Sequence, residues 1–241
     1  MNIVITGASR GVGYQAALQL SKDKNNTIYA LSRDDGGLKK LTDESGTKTI
    51  LPILCDITDE GMVSNAVKEI TERSTATGVD VLINNAGYLI NKPFEALTLH
   101  DWQRTYAVNV FGVFEVTQKL LPLLRKGSLS PGKNIHAHIV NISSMGGIQG
   151  SLKFKGLSAY SSSKGALITM TECLSEELKE EGIRVNCIAL CSVETEMFSS
   201  AFPGLKASAK ADEMGAWVAR FGIEGYLYFN GKTLPVSTAT P

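Results

Sequence analysis

A tyrosine and a lysine four residues apart carry the clearest sign of chemistry in this sequence. Tyr160 and Lys164 open an apolar stretch with helical periodicity and follow the serine pair Ser143 and Ser144. On a helix, side chains at positions i and i+4 share one face, so the phenol and the ammonium point in the same direction. A nearby cation lowers the phenol pKa from its usual value of about 10. The pair therefore predicts acid–base chemistry, although such pairs also occur on ordinary surface helices.

A glycine-rich turn lies near the start of the chain. The apolar run 2–6 passes into Gly7, and Gly11 and Gly13 follow before alanines and leucines recur at helical spacing. A strand, a glycine turn and a helix in this order place free amide N–H groups where they stabilise a pyrophosphate. The alternative is a tight turn without a ligand. The strand before the turn and the helix after it favour a bound nucleotide.

Four motifs, in this order, resemble those of the short-chain dehydrogenase/reductase family, and in particular its 3-oxoacyl-carrier-protein reductases. They are TGASRGVG at 6–13, NNAG at 84–87, Ser144, and Tyr160 with Lys164. They match the family's TGxxxGxG, NNAG, catalytic serine and YxxxK. Asn109 matches the asparagine that completes the family's catalytic tetrad.

The resemblance implies a role for each member of this tetrad in reducing a carbonyl to an alcohol. Tyr160 would donate a proton to the nascent alkoxide, and Ser144 would hydrogen-bond the carbonyl oxygen where charge develops. Lys164 would lower the tyrosine pKa and bind ribose hydroxyls. Asn109 would position a water that links the lysine to solvent.

The resemblance also implies a dinucleotide cofactor along the carboxyl edge of the sheet. Asp56, after the third predicted strand, resembles the family residue that contacts adenine. The expected cofactor contacts are Gly7, Ser9, Arg10, Gly11, Val12, Gly13, Ser32, Arg33, Asp56, Ile57, Asn85, Ala86, Gly87, Ile142, Tyr160, Lys164, Val193 and Thr195.

The end of the second predicted strand bears on the choice of cofactor. NAD enzymes of this fold usually place a carboxylate there for the ribose hydroxyls, whereas the 2′-phosphate of NADP needs that charge absent and a cation nearby. Ser32 stands at this position, and Arg33 and Arg10 supply guanidinium groups that bind phosphate in a charge-assisted fork. NADP (NADPH) is therefore expected. NAD is the alternative, in which Asp34 or Asp35 is the ribose ligand.

The sequence departs from the family after the sixth predicted strand. Leu190 and Cys191 stand where the family usually carries Pro-Gly, whereas Val193 and Thr195 fit the positions that meet the nicotinamide carboxamide. Cys191 is expected near the nicotinamide, where a side chain larger than that of glycine would narrow the pocket. A tolerated small residue is favoured over a reactive thiol, because no neighbouring cation lowers the pKa of Cys191.

Two lysines lie close to the expected mouth of the active site. Lys153 and Lys155 either receive an acidic carrier, such as an acyl carrier protein or a coenzyme A thioester, or are solvated. The resemblance makes a 3-oxoacyl thioester the leading expectation within a wider class of small carbonyl or alcohol substrates. Specificity is expected in the loops 145–158 and 192–209, whose shape a single sequence does not reveal.

Strands and helices alternate along the chain, which predicts an α/β fold. Strands are expected at 2–6, 27–32, 49–55, 79–84, 135–143, 184–189 and 232–236, and helices at 12–22, 59–75, 101–124, 159–181 and 210–221. Repeated βαβ units build a doubly wound parallel sheet of about seven strands, in a single Rossmann domain covering 1–241. Pro52 falls inside the third strand, which predicts an edge position because proline has no N–H to donate.

Composition and charge narrow the class of protein. The 241 residues are 43% hydrophobic and 20% charged, with a formal net charge of +0. Such a chain can bury one sizeable core, and it has no basic field to attract nucleic acid or anionic lipid. A strand is expected from Asn2, and no apolar run reaches the roughly 18 residues of a membrane span. A cytoplasmic protein without nucleic-acid or membrane partners is expected.

Metal binding is not expected. The sequence contains four cysteines, Cys55, Cys173, Cys187 and Cys191. They show no CxxC pairing, which is typical of unbridged thiols and argues against structural zinc. His136 and His138 share one face of a strand, but a metal site needs at least one more ligand and none is evident. His138 is therefore expected in the core or beside a loop.

The predicted helix 101–124 is apolar nearly all round. Its apolar residues include Tyr106, Val108, Val110, Phe111, Val113, Phe114 and Val116. A helix that is apolar on more than the face toward the sheet is expected to pack against a partner subunit as well. Because family members commonly pair these helices, a homo-oligomer, either a dimer or a tetramer, is expected.

Two other functions are open beside an NADPH-dependent carbonyl reductase. One is a dinucleotide-sensing regulator without turnover, and the other is an NAD-dependent alcohol dehydrogenase that works in the oxidative direction. Regulators on this fold commonly lack the catalytic tyrosine. The presence of Ser144, Tyr160 and Lys164 together favours an enzyme.

Overall fold

The centre of the molecule is a parallel sheet of seven strands. The computed structural model describes residues 1–74 and 77–237. The strands are β1 (Asn2–Thr6), β2 (Thr27–Ser32), β3 (Ile50–Leu54), β4 (Val81–Asn84), β5 (Ala137–Ser144), β6 (Ile183–Leu190), β7 (Val193–Glu194), β8 (Ala209–Lys210) and β9 (Thr233–Val236). The sheet order is β3-β2-β1-β4-β5-β6-β9, and β7 pairs with β8 beside it. This order confirms the predicted doubly wound α/β fold.

Helices cover both faces of the sheet. They are α1 (Gly11–Leu20), α2 (Asp35–Ser45), α3 (Glu60–Arg73), α4 (Leu99–Tyr106), α5 (Gly112–Leu124), α6 (Ser158–Glu177), α7 (Glu196–Ala201) and α8 (Ala211–Glu224). Short 3₁₀ turns occur at Phe94–Ala96, Pro131–Lys133, Met145–Gly147, Lys179–Glu181 and Gly225–Leu227. The end of the predicted helix 59–75 lies outside the described residues, and so do residues 238–241.

The first strand shows how the sheet is buried on both faces. Ile3 and Ile5 pack with the apolar faces of α1 and α8, whereas Val4 packs with those of α3 and α5. Because successive side chains of a strand point to opposite faces, a strand covered on both sides must be apolar at every position. This explains the uninterrupted apolar run before the glycine turn.

A short chain of buried polar side chains fixes two helices to the middle of the sheet. The Asn84 Nδ2 group donates to Thr117 Oγ1 at 3.0 Å and to Asn141 Oδ1 at 2.9 Å. Asn141 Nδ2 in turn donates to Thr171 Oγ1 at 2.9 Å. Thr117 belongs to α5 and Thr171 to α6, so these bonds hold both helices against β4 and β5.

Prolines lie on both outer strands of the sheet. Pro52 is in β3 and pairs in register with Ala30, so the predicted edge position is confirmed. At the opposite edge, Pro235 of β9 pairs in register with Ala189. An edge strand tolerates proline because the ladder hydrogen bond that proline cannot donate is not needed on its outer side.

Helix α2 was not expected from the sequence. Its first turn contains Gly36 and Gly37, which lower helix propensity. The helix forms because the Asp34 side chain caps it, accepting a hydrogen bond from the Gly37 N–H at 3.1 Å. A Cβ atom at position 37 would lie 2.7 Å from the Ser9 Cβ, so this glycine allows α2 to start against the glycine turn.

The predicted helix 101–124 is interrupted in the structure. It begins at Leu99, where Thr98 and Asp101 form a capping box, and a π-helical turn at Ala107–Phe111 separates α4 from α5. The turn contains Asn109. Such turns insert one residue into a helix and frequently occur at functional sites.

The same helical stretch, Leu99–Leu124, is long and apolar enough to span a membrane by length and composition alone. Its most apolar window is 44% buried inside the molecule, and α5 contributes Val116, Leu120 and Leu124 to the core beside α3. These contacts are those of a core helix with one uncovered face. The expectation that no apolar run reaches the length of a membrane span is therefore wrong for this stretch.

Segment 192–209 was expected to be a loop. It contains α7 and the short strands β7 and β8. Thr195 caps α7 by accepting a hydrogen bond from the Phe198 N–H at 3.2 Å. A capped single helix of this length has too few apolar residues to give a clear periodic signal.

Candidate active site

A cavity of about 960 Å³ opens at the carboxyl ends of the central strands. Most of the predicted site residues line it: Gly7, Ser9, Arg10, Gly11, Val12, Ser32, Arg33, Asp56, Ile57, Asn85, Ala86, Gly87, Ile142, Ser144, Tyr160, Lys164, Val193 and Thr195. Gly13 and Asn109 do not line it. The cavity spans the point where the strand order reverses between β1 and β4, which is where ligands bind in open α/β sheets.

The glycine turn is held by the segment that follows β4. Asn85 Nδ2 donates to Thr6 O at 3.0 Å and to Gly7 O at 3.1 Å. Gly7 has a φ of +67°, and a Cβ atom there would lie 2.7 Å from the Ala86 Cα. A Cβ atom at Gly13 would overlap Asn85 Nδ2, so Gly13 packs against this segment instead of facing the cavity. Glycine is needed at both positions for close backbone approach.

The N-terminus of α1 faces the cavity without a side-chain cap. Arg10 is the N-cap residue, and it makes no side-chain hydrogen bond to the first amides of the helix. These N–H groups carry the positive end of the helix dipole and are suited to a pyrophosphate. The residues of the turn and of this helix therefore fit the expected dinucleotide.

The end of β2 carries no free carboxylate for a ribose. Ser32 is buried, donates to Ser9 Oγ at 2.8 Å and accepts from the Asp34 N–H at 3.2 Å. Asp34 lines the cavity, but its carboxylate caps α2. Asp35 lies in the first turn of α2 and does not line the cavity.

Both arginines expected at the cofactor phosphate are paired with carboxylates. Arg33 Nη1 lies 3.7 Å from Asp56 Oδ2, and Arg10 Nη1 lies 2.8 Å from Glu196 Oε2. Burial alone would raise the pKa of Asp56, but hydrogen bonds from Thr58 and the Arg33 guanidinium outweigh burial and hold this pKa below its usual value. A bound phosphate would compete with these carboxylates for the guanidinium groups.

Ser144, Tyr160 and Lys164 meet at one wall of the cavity. Ser144 lies at the end of β5, and its hydroxyl is close enough to the Tyr160 phenol from α6 to influence the pKa of that phenol. The Lys164 Nζ lies 5.9 Å from the centre of the tyrosine ring and donates to Ile142 O at 2.7 Å. The neighbouring Ser143 donates its hydroxyl to Lys164 O at 2.8 Å, so its role is to hold the helix. This geometry supports Ser144 over Ser143 as the serine that faces the reacting group.

The pKa of Tyr160 differs from the expectation, and the pKa of Lys164 is shifted as well. Burial raises the pKa of Tyr160 to about 12, and the Ser144 hydroxyl offsets this only in part. Burial lowers the pKa of Lys164 to about 8. The predicted lowering of the tyrosine pKa by the lysine is therefore not seen in the protein alone. The physical reason is that desolvation of the phenol is the largest influence on its pKa, and the Lys164 ammonium is bonded to the Ile142 carbonyl instead.

Asn109 supports the site from behind. Its Oδ1 accepts from the Tyr88 N–H at 2.8 Å, and its Nδ2 donates to Tyr88 O and to Ser163 Oγ, both at 2.9 Å. The side chain is fully engaged and does not reach the cavity. A Cβ atom on Gly87 would lie 3.6 Å from both Asn109 Oδ1 and Lys164 Nζ, so the asparagine and the lysine flank the same glycine.

Cys191 lines the cavity together with Val193 and Thr195, as expected. Burial raises the pKa of the Cys191 thiol, so the thiol is protonated at neutral pH. This agrees with a tolerated small residue. The cysteines at positions 55, 173, 187 and 191 are all free, in agreement with the prediction of unbridged thiols.

Lys153 is used within its own loop. Its Nζ donates to the Ile148 carbonyl and to Ser151 Oγ. Lys155 is exposed to solvent. The pair is therefore not arranged as two free cations at the mouth.

His138 is a core residue, as expected. It is fully buried, with its ring nitrogens 2.9 Å from Gly222 O and 3.0 Å from Asn186 Nδ2. Burial lowers the pKa of His138 to about 4, so the ring is neutral at physiological pH. Within residues 1–74 and 77–237, no group of three His, Cys, Asp or Glu side chains is arranged to hold a metal.

Sequence reasoning missed a set of large apolar side chains that also line the cavity. They are Tyr88, Leu89, Met145, Leu152, Phe154, Leu157, Met197, Phe198, Phe202 and Leu205. Most of them lie in the chain segments that had been identified as the seat of specificity. The spacing of Phe198 and Phe202 by four residues was the one available signal, because that spacing puts both rings on one face of a helix.

Comparison with known proteins agrees with this geometry. The family model described as short chain dehydrogenase matches residues 1–206. The chain is 30% identical over 203 residues to the uncharacterized oxidoreductase YhxC of Bacillus subtilis, covering 83% of this chain and 66% of that protein. It is 31% identical over 196 residues to the 3-oxoacyl-[acyl-carrier-protein] reductase FabG of Thermotoga maritima, covering 80% and 74% of the two chains. The chain thus spans about two thirds to three quarters of these relatives.

Two solved structures are similar over nearly their whole length. One is a 3-ketoacyl-(acyl-carrier-protein) reductase from Brucella melitensis complexed with NADH, at 27% identity and a TM-score of 0.84, covering 98% of this chain and 96% of that one. The other is an NADPH-bound carbonyl reductase from chicken fatty liver, also at 27% identity and a TM-score of 0.84, covering 97% and 95%. One neighbour holds NADH and the other NADPH.

Proposed function

The chain belongs to the short-chain dehydrogenase/reductase family of NAD(P)-dependent oxidoreductases, and we propose that it is an NADPH-dependent reductase that converts a ketone into an alcohol. The observation that carries the proposal is the convergence of Ser144, Tyr160 and the buried Lys164 on one wall of a cavity that begins at the glycine turn. The cytoplasmic location stays a prediction.

The protonation of Tyr160 fits the role of a proton donor. With its pKa raised to about 12, the phenol carries its proton at neutral pH and can donate it to a developing alkoxide. When bound, the nicotinamide supplies the hydride. Ser144 lies beside the phenol and can hold the carbonyl oxygen at hydrogen-bond distance from both hydroxyls.

The Lys164 ammonium places a positive charge on the same cavity wall as this phenol. Its pKa of about 8 leaves most of the population protonated at neutral pH. The ammonium is bonded to Ile142 O, which fixes its position at the cavity wall. A ribose hydroxyl can be bound from there, and the lysine can return a proton to Tyr160 after turnover. Asn109 positions the neighbouring backbone through its bonds to Tyr88.

The preference for NADPH is proposed from the charges at the end of β2. Ser32 leaves that end without a carboxylate of its own, and both Arg33 and Arg10 line the cavity. A 2′-phosphate can bind both guanidinium groups if it displaces their carboxylate partners. One of the two solved neighbours at 27% identity is NADPH-bound and the other is complexed with NADH, so the proposal rests on the charges of this chain.

A homo-oligomer is proposed from the uncovered face of α4 and α5. Leu99 is 73% exposed, Phe111 61% and Phe114 47%, which is unusual for large apolar residues on one helical stretch. Burying this face against a second copy would explain the pattern. Light scattering in dilute solution tests it, because a monomeric mass contradicts the proposal.

The role of Tyr160 is tested by Tyr160→Phe, with Tyr88→Phe as the matched control on the same cavity. Loss of the general acid should lower the rate of ketone reduction at least a hundredfold. The affinity for NADPH, measured by fluorescence titration, should stay the same, because the phenol makes no charged contact with it. Tyr88→Phe should stay within a few fold of the parent protein. If Tyr160→Phe keeps most of its activity, the assignment is wrong.

A further inference from the structure

Three phenylalanine rings form an arc at the end of the cavity that segments 145–158 and 192–209 line. The rings of Phe154 and Phe202 meet edge to face with centroids 6.4 Å apart, and those of Phe198 and Phe202 lie 5.3 Å apart. All three residues line the same cavity as Tyr160. Phe154 comes from the connection before α6, and the other two come from α7 and its end. Two separate loops therefore meet through aromatic contacts.

The rim of this end is apolar and uncovered. Leu152 is 69% exposed, Phe154 59% and Leu205 65%, and all three line the cavity. Large apolar groups grouped around a concave site usually contact a ligand, because leaving them in water costs free energy.

Few charges face this end. The cavity lining that comes from the described segments 145–158 and 192–209 includes two charged side chains, Glu196 and Lys206. Glu196 is paired with Arg10, and Lys206 is exposed to solvent. The wall around the arc therefore offers contact area to an uncharged group and little to stabilise an anion.

The two loops are fixed in position by a third segment. Asn91 Nδ2 donates to Ala201 O at 2.8 Å, next to Phe202, and the Lys92 N–H donates to Gly156 O at 2.9 Å, close to Phe154. Gly156 has a φ of +84°, which favours glycine at this close approach. Because the rings are held before a ligand arrives, binding costs less ordering entropy.

We propose that the substrate is an uncharged ketone with an aromatic ring next to the carbonyl, and that Phe154, Phe198 and Phe202 bind this ring while Tyr160 and Ser144 hold the carbonyl oxygen. This inference rests on the proposed function and specifies its substrate class. Aromatic ring pairs prefer edge-to-face or offset contacts, and the rings of the arc can make such contacts with an aromatic ring of the substrate. A carrier-bound thioester would instead place a long polar chain along this apolar rim.

The experiment compares three diketones that differ in one group. Biacetyl carries a methyl group where acetylbenzoyl carries a phenyl ring, and the cyclohexyl analogue has similar bulk without aromaticity. Reduction is followed by NADPH consumption in the full chain. The parent protein should prefer acetylbenzoyl over the other two by about tenfold in kcat/KM.

The diketones differ in intrinsic reactivity, so the substrate preference of each variant is compared with that of the parent protein. Phe154→Ala and Phe202→Leu should each reduce the preference for the ring severalfold, because each removes an aromatic face from the arc. Tyr228→Ala is the matched control, since Tyr228 is 81% exposed and lies outside both the cavity lining and the surface around Phe154. It should leave the preference unchanged. Thermal melting of each variant verifies that it folds.

The outcomes separate the two proposals. If the diketones are reduced and the preference is absent, or is the same in Phe154→Ala and Phe202→Leu as in the parent protein, the aromatic substrate class is wrong and the reductase stands. If acetoacetyl coenzyme A is reduced faster than acetylbenzoyl and Lys206→Ala slows it, a carrier-linked substrate replaces the proposal. If NADPH binds but neither the diketones nor acetoacetyl coenzyme A are reduced, the reductase assignment fails and the substrate class fails with it.

Discussion

Replacing Glu196 by glutamine should strengthen the binding of NADPH without changing the binding of NADH. Glu196 Oε2 lies 2.8 Å from Arg10 Nη1, and both side chains are largely exposed at 69% and 58%. The 2′-phosphate of NADPH competes with this carboxylate for the guanidinium. NADH brings no such group, so the release of Arg10 gives it no advantage.

The exposure of the pair sets the size of the effect. An ion pair between exposed side chains contributes about 0.2–1 kcal/mol, because water and salt screen it. Removing the competing carboxylate should therefore lower the dissociation constant for NADPH by up to about fivefold. The gain should shrink as salt is added, since the contact is electrostatic.

Fluorescence titration with each coenzyme at low ionic strength measures this difference. Glu194→Gln is the matched control, because Glu194 is also exposed and forms no salt bridge within the part of the chain that the structure describes. It should change neither constant. Equal shifts for NADH and NADPH, or weaker binding of NADPH by Glu196→Gln, would refute the reasoning.

Arg33→Ala should raise the KM for NADPH much more than that for NADH, and equal small effects would contradict the assignment of NADPH. The kcat/KM for ketone reduction should fall as the pH rises through about 8, because Lys164 loses its charge there while Tyr160 keeps its proton up to about 12. Lys164→Arg should move this fall to higher pH, and an unmoved profile would assign it to another group. Asn141→Ala should lower the free energy of unfolding by about 2 kcal/mol in urea denaturation, because a buried residue with two side-chain hydrogen bonds is lost. A change below about 0.5 kcal/mol would show that Asn84 and Thr171 find other partners.

The fold could be predicted because the central strands leave few alternatives. A strand such as β1, with Ile3, Val4 and Ile5 fully buried, needs cover on both faces, and alternation with helices supplies it. Pro52 then placed β3 at an edge. Helix α2 could not be predicted in this way, since its start depends on Asp34 and on the space that Gly37 leaves beside Ser9. Those are contacts between segments.

The site was predictable where one backbone conformation fixes a residue type. Glycine is required at positions 7 and 13 because Ala86 and Asn85 lie too close for a Cβ atom. The spacing of Tyr160 and Lys164 follows from helix geometry. Protonation was not predictable, because burial shifts both pKa values and burial depends on the whole fold. The same holds for the arc of Phe154, Phe198 and Phe202, whose members meet from distant segments.

The prolines at the two borders of the sheet also limit how copies of this protein can associate. A foreign strand laid along β3 or β9 would find a missing N–H at Pro52 or Pro235, which weakens cross-molecular ladders of the kind that lead to amyloid. Self-assembly by sheet extension is thereby discouraged during synthesis and refolding. Copies of this protein can instead associate through side chains on the helices, where the contacts can form a closed oligomer of finite size.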